Sequence, residues 1–385
     1  MQFVYVANVR LPTERAHGFQ IMKTCEALAR AGYTVTLVTP NKTSAGIRET
    51  DPFTYYGVER IFTHLRIQTT DTLSHGKYLG RLAYAIDSLS FLLALLLRCQ
   101  SLLHTADVTY TREYIAGAFL PRKTYVLELH QIISGILFRL LLPRATRIVA
   151  ITKGLQDELV EKYSIPASSV QVVPDGVDLD DFAVTESKEE ARLRLGLPLD
   201  KTVALYIGAL ETWKGVDTFC MAAKLLPESV VCVVIGGVPE HVREYKKKYP
   251  HVQFLGFLPQ RDLANNQVAG DMLILPNTGR EVLSSVYTSP LKLFSYMASG
   301  VPIVSSDLPS LREVLNEDLA VLVESDNPLA LAGGITDILK DQAQTAQRAR
   351  NAKEVVAAYT WDARAKHIMS FLTPPVTAGR KGTVC

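Results

Sequence analysis

Short apolar runs alternate with helix-period segments along nearly the whole chain. FVYVA, TVTLV, TYVLEL and RIVAIT predict strands in the first half. TVALYIG, VVCVVIGG, VQFLG, DMLILP and VPIVSS predict them in the second. Between them lie amphipathic stretches such as FQIMKTCEALARAG, VDTFCMAAKLL and SPLKLFSYMASG. Strands this uniformly apolar need cover on both faces, and strands that alternate with helices build parallel sheets. The expected fold class is therefore α/β, doubly wound.

The alternation pauses once, at the polar, turn-rich passage VVPDGVDLDDFAVTESKEEARLRLGLPLDK, and restarts with TVALYIG. A chain of 385 residues is also too long for one ordinary core. These features predict two Rossmann-like domains, residues 1–183 and 184–358. The amphipathic segment WDARAKHIMSFL, in a helix expected at about 359–372, should pack back on the first domain. The last residues, TPPVTAGRKGTVC, have the composition of a frayed end.

Composition narrows the function classes. With 48% hydrophobic residues, 21% charged and a formal net charge of +2, the chain has a globular profile and no basic excess for nucleic acid. Five cysteines (Cys25, Cys99, Cys220, Cys232, Cys385) are scattered without a CxxC pair, so neither a disulfide framework nor a zinc site is expected. The start MQFVYVANVR reads as a strand and lacks signal-peptide order, which makes the cytoplasm the expected location. The stretch Ser88–Leu97, SLSFLLALLL, is too short to span a bilayer. It lies in a basic region, with twelve Lys/Arg against five Asp/Glu between Arg60 and Lys153. A buried core helix is the default expectation. Peripheral contact with an anionic membrane surface is the alternative.

Ligands of open α/β sheets bind at the carboxyl ends of strands, so the cleft between two such sheets is the expected site. Gly18 closes the polar loop after the first strand, where bare backbone lets a ligand approach, although an ordinary turn would also suit it. His130 follows TYVLEL. It could offer a hydrogen bond to a sugar hydroxyl or to developing charge, or it could be a satisfied core histidine. Lys214, beside Gly215 and ahead of a helix, suits a phosphate, against the plainer reading of a solvated lysine. Arg280, Ser289 and Lys292 follow DMLILP. In SSVYTSPLKLFSYMASGVPIVSS, Ser289 is the expected N-cap, Pro290 the first helical residue, and Gly300 with Pro302 the stop. Lys292 then falls in the first turn, where the helix dipole favours an anion. A diphosphate held there would account for the lysine.

Four segments in order carry a family resemblance: RLPTERAHGFQIMKTCEALARAGYTVTLVTP, AITKGLQDELVEKYSIPASSVQVVPDGVDLDDF, YIGALETWKGVDTF and SPLKLFSYMASGVPIVSSDLPSLREVL. The chain resembles the GT-B-fold glycosyltransferases of family 4 over nearly its whole length. The resemblance implies a nucleotide-diphosphate sugar in the second domain and a glycan or lipid-linked acceptor in the first. It also implies transfer with retention, no metal and no cofactor beyond the donor, in surface-glycan synthesis. Lys214 stands at the diphosphate-binding lysine, His130 at a histidine that contacts the donor sugar, and Gly18 in the loop near the phosphates. Gly208, at the end of its strand, and Leu291, in the SPLK segment, fall among the donor-binding positions with Arg280, Ser289, Lys292 and Ser295. Three positions depart from the pattern. Ala209 replaces an arginine, and Tyr287 and Ser295 replace two glutamates, the second of which usually holds the nucleotide ribose. Lys292 and Arg280 are expected to supply the missing positive charge. A non-catalytic sugar-nucleotide-binding protein and a sugar-nucleotide 2-epimerase are the competing readings.

Overall fold

The computed structural model describes residues 1–44, 47, 50–72, 80–122 and 125–373. Cys385 and nearly all of the terminal tail lie outside the described residues. The first sheet has seven parallel strands: β1 (Gln2–Val6), β2 (Thr34–Pro40), β3 (Thr63–Ile67), β4 (Val108–Thr111), β5 (Tyr125–Leu129), β6 (Arg147–Ala150) and β7 (Val170–Val172). Their order is β3-β2-β1-β4-β5-β6-β7, which puts the switch point beside β1. The second sheet has six: β8 (Thr202–Ile207), β9 (Val230–Ile235), β10 (Gln253–Gly256), β11 (Met272–Leu275), β12 (Ile303–Ser306) and β13 (Val321–Val323). Their order is β10-β9-β8-β11-β12-β13, with the switch beside β8. These are the two doubly wound, Rossmann-like sheets of a GT-B architecture.

The helices that matter for the site are α1 (Ala16–Arg30), α2 (Gly80–Arg98), α3 (Ile136–Leu141), α4 (Lys153–Tyr163), α5 (Leu291–Ser299) and α6 (Trp361–Leu372). Successive side chains of a strand point to opposite faces. In β1, Phe3 and Tyr5 join the core under α1 and α6, while Val4 and Val6 join the core under α2, α3 and α4. The last helix thus belongs to the first domain's core, through Trp361, Ala365, Ile368 and Met369. The chain's two crossings run side by side, with Val177 N donating to Tyr359 O (2.9 Å) and Trp361 N to Val177 O (3.2 Å). Gly176 is required there, because a Cβ would lie 2.9 Å from Trp361 N.

Two expectations need correction. Helix α5 begins at Leu291 with Pro290 at the cap position, and no side chain caps it. The Ser289 hydroxyl instead accepts from Asp175 N (3.0 Å), because the segment ahead of α5 is pressed against the passage between the domains. Gly300, at φ 71°, does end the helix. The Ser88–Leu97 stretch is the second half of α2, and it is not simply a core helix. Phe91, Leu92 and Leu95 are buried, while Leu89 and Leu93 are exposed and Leu97 is 81% exposed. The helix is apolar on both faces and the sheet can cover only one. Among the described residues no helix is long and apolar enough to cross a membrane.

Candidate active site

The carboxyl end of β5 brings a histidine and a buried carboxylate together. Glu128 points into the core face of the sheet and is wholly buried. Its Oε1 accepts from Gln20 Nε2 of α1 (2.7 Å) and lies 2.5 Å from His130 Nε2. Its Oε2 accepts from the Tyr110 hydroxyl and is paired with Arg364 Nη2 of α6 at 3.0 Å. Burial pushes the Glu128 carboxyl up, but Arg364 and the hydrogen bond to His130 outweigh it and hold the group well below the carboxylate range. His130, with 21% of its side chain exposed, is lowered to about 4, by burial first and then by Arg112, against the pull of Glu128. It is neutral at pH 7.

Asp175, on the inter-domain passage, is raised to about 7 by burial, with Arg364 opposing. Arg112 follows β4 and donates to Gln20 Oε1 (3.1 Å), which closes a chain from Arg112 through Gln20 to Glu128. Glu128, Arg112, Asp175 and Arg364 were not among the sequence candidates. One signal pointed to Glu128: it is the only charged residue in the apolar run TYVLEL.

The second domain offers cations of its own. Lys214 ends a short turn, Thr212–Lys214, after β8, and its ammonium lies 3.0 Å from Glu211 and over the Trp213 ring at 5.0 Å. Gly215 follows at φ 70°, and a Cβ there would lie 1.7 Å from Pro276 O, so only glycine lets this turn close on the end of β11. Lys292, in the first turn of α5, lies over the Tyr206 ring at 4.4 Å and donates to the Tyr206 hydroxyl (3.3 Å). Burial, then the charge of Lys214, hold its ammonium well below the lysine range, with Glu211 opposing. Gly208 lies beside the same tyrosine, and a Cβ there would be 2.8 Å from the Tyr206 hydroxyl. That hydroxyl donates to Ala209 O (2.8 Å).

The remaining candidates are placed differently. Arg280 is 79% exposed at the rim, with Nε 3.8 Å from Asp326. Leu291 packs against the first domain's core, at the interface. Ser295 is buried, where its hydroxyl donates to Lys292 O (3.0 Å) and accepts from Gln267 Nε2 (3.1 Å). Gly18 has no room for a side chain, since a Cβ would sit 2.1 Å from the Tyr56 hydroxyl; packing alone accounts for that glycine. Tyr287 donates its hydroxyl to Glu158 of α4, across the domain boundary. Beside it the Glu313 carboxylate accepts from Lys153 N (2.8 and 2.7 Å) and Gly154 N (3.2 Å) at the start of α4. Among the described residues no cluster of His, Cys, Asp or Glu is arranged to hold a metal.

Two family models match the two halves. Glycosyltransferase Family 4 matches residues 19–181, and Glycosyl transferases group 1 matches residues 201–341. The chain belongs to the GT-B glycosyltransferases of family 4. A D-inositol 3-phosphate glycosyltransferase of Xylanimonas cellulosilytica is 30% identical over 236 residues, which is 56% of this chain and 54% of that protein. The match to curated relatives spans about half their length. Solved structures of the same fold cover nearly everything. Sucrose-phosphate synthase from Thermosynechococcus elongatus has a TM-score of 0.76 at 20% identity, over 96% of this chain and 98% of that one. Anabaena HepE in complex with UDP-glucose has a TM-score of 0.73 at 17% identity, over 97% and 99%. In this family 4 member the hydroxyls of Tyr287 and Ser295, where the resemblance leads one to expect glutamates, both already have protein partners.

Proposed function

We propose that the protein is a retaining glycosyltransferase that moves a sugar from a nucleotide-diphosphate donor to a glycan or lipid-linked acceptor. One observation carries the reading: Lys214 and Lys292 converge at the carboxyl end of β8, and the half-buried Lys292 has no carboxylate within ion-pair distance among the described residues. Two close ammoniums repel, and Glu211 pairs with only one of them, so a further anion is favoured beside them. A diphosphate has the required charge, and it gains more as the sugar bond breaks. Cations already in place do the work a metal would otherwise do. His130, partly exposed after the end of β5, would meet the donor sugar from the first domain.

HepE, which binds UDP-glucose, gives the first donor to try. Incubating the protein with a panel of nucleotide-diphosphate sugars and measuring released free sugar tests the reading, and hydrolysis of one donor is the expected result. Binding without turnover favours a non-catalytic donor-binding protein instead. That second reading has its own support, because Tyr287 and Ser295 are committed to Glu158 and Gln267.

The proposal extends to a peripheral contact with an anionic membrane, where a lipid-linked acceptor would reside. The outer face of α2 carries Leu82, Ile86, Leu89, Leu93 and Leu97 at helical spacing, all exposed. Helix α3, which packs on the same sheet face, exposes Ile136, Leu137 and Leu140 a few residues after His130. Arg98, Arg122 and Arg139 are exposed nearby, while the acid of α2, Asp87, is buried on Lys42 (3.0 Å). An apolar ridge flanked by arginines fits anionic headgroups over acyl chains. Co-sedimentation with anionic vesicles, lost at high salt and absent with neutral vesicles, is expected. A wild-type chain that stays in solution at low salt overturns the contact.

A further inference from the structure

We infer that Glu128 is a positioning residue: its buried carboxylate holds His130 as the Nε2–H tautomer, so that Nδ1 is the nitrogen offered to the cleft, as a hydrogen-bond acceptor for a hydroxyl of the donor sugar. The inference rests on the reading that His130 meets the donor.

The four partners of Glu128 carry the argument. An ionised carboxylate can only accept, and its two oxygens have about four lone-pair sites. Gln20 Nε2 and the Tyr110 hydroxyl donate to it, and the Arg364 guanidinium lies 3.0 Å away as an ion pair. The fourth partner, His130 Nε2, must therefore carry a proton. Because the imidazole is neutral, Nδ1 keeps its lone pair. Among the described residues Nδ1 has no hydrogen-bond partner. A histidine expected to donate is thereby converted into one that accepts.

Arg364 adds a second element. It reaches Glu128 from α6, the helix that returns from the second domain, and it is anchored there by Nε donating to Pro174 O (3.1 Å). The guanidinium keeps the carboxylate ionised inside the core, where a lone charge would not persist. The residue that sets the catalytic histidine is thus itself set by the last helix, so the first domain presents His130 correctly only once that helix is docked.

Nitrogen-resolved NMR of the histidine-labelled full-length chain at neutral pH reads the tautomer directly. The protonated nitrogen of His130 should be Nε2 in the wild type, and an Nδ1–H signal there overturns the inference. Glu128→Gln presents an amide, which can donate to Nε2 and drive the proton to Nδ1. That variant should show the exchanged tautomer. It should lose about a hundredfold in kcat with donor KM changed less than about threefold, because the sugar hydroxyl becomes a stronger donor to Nδ1 as positive charge develops on the ring. An unchanged tautomer in Glu128→Gln, or equal changes in kcat and KM, also overturns it. The wild-type spectrum decides the tautomer without any variant, so a Glu128→Gln chain that fails to fold leaves the test standing. A wild-type chain with the Nε2–H signal and no turnover of any donor removes the transferase reading alone.

Discussion

His130, just after β5, and Lys292, in the first turn of α5, are both half-buried bases held below their ordinary proton affinity, but by opposite surroundings. His130 belongs to a network in which both oxygens of the Glu128 carboxylate accept hydrogen bonds and Arg364 pairs with it at 3.0 Å. Lys292 faces a tyrosine ring and a second lysine. The first domain is therefore organised before any ligand binds, whereas the second carries an unfavourable charge arrangement that an anion would relieve. Low-dielectric surroundings strengthen both effects. The difference separates a wall that orients from a wall that captures.

The comparison breaks first at Lys214. Its ammonium pairs with Glu211 and lies over the Trp213 ring, both beside it in the chain, so Lys214→Ala should keep its melting temperature. It should lose about 3 kcal/mol of transition-state stabilisation, or roughly a hundredfold or more in kcat with saturating donor. Wild-type turnover would remove the lysine from the reaction.

Lys292→Met tests the capturing wall from both sides. Donor diphosphate affinity, measured by calorimetry, should fall by about 1–3 kcal/mol. The ligand-free variant should nonetheless be more stable than wild type at neutral pH, because a half-buried ammonium with no carboxylate partner among the described residues is removed. The sign follows from the lowered proton affinity. Wild-type stability is depressed while the unfolded lysine is protonated and recovers as pH rises toward about 10.4, so the variant's advantage should shrink over that range. An advantage that is constant with pH would mean the lysine is not held in its unfavourable state.

Asp175→Asn probes the orienting wall. The carboxyl is raised to about 7 from the ordinary value of 3.8, so its protonated form favours the fold at low pH and that contribution is lost as pH rises from about 4 to about 7. Between those values wild-type stability should fall relative to the variant by about 1.4 kcal/mol per pH unit at most. Parallel denaturation curves across the range would show that Asp175 ionises normally.

The smallest effect is expected at Ser295. Its hydroxyl is used between Gln267 and Lys292 O, so Ser295→Ala should cost about 1 kcal/mol in stability and change donor affinity by less than that. A donor-affinity loss as large as that of Lys292→Met would place the ribose on this serine after all.

Much of this could be read along the chain. Runs such as TVALYIG and DMLILP became β8 and β11 because only strands buried on both faces tolerate such uniform Val, Ile and Leu content. Strands β3, β4, β7 and β13 gave no such signal. THLRI lies largely exposed at the sheet edge, and VTYT buries Thr109 and Thr111, so neither shows a uniform apolar run. Lys214 could be singled out because its setting is local, a turn with glycine between a strand and a helix. Pro290 and Ser289 were misjudged for a tertiary reason: the inter-domain passage takes the serine hydroxyl that capping rules assign to the helix.

The sequence by itself determined two α/β halves and the family. Those features depend on local periodicity and on short spacings, which the chain carries wherever it is read. The tertiary structure decided which charges meet. Glu128, Arg364 and Tyr110 come from β5, the last helix and β4, and no local pattern joins them. Lys292 and Lys214 become a repelling pair only because β8 and α5 converge. Electrostatic interactions depend on distance through space and on the removal of water, and both quantities come into existence only when the chain is packed.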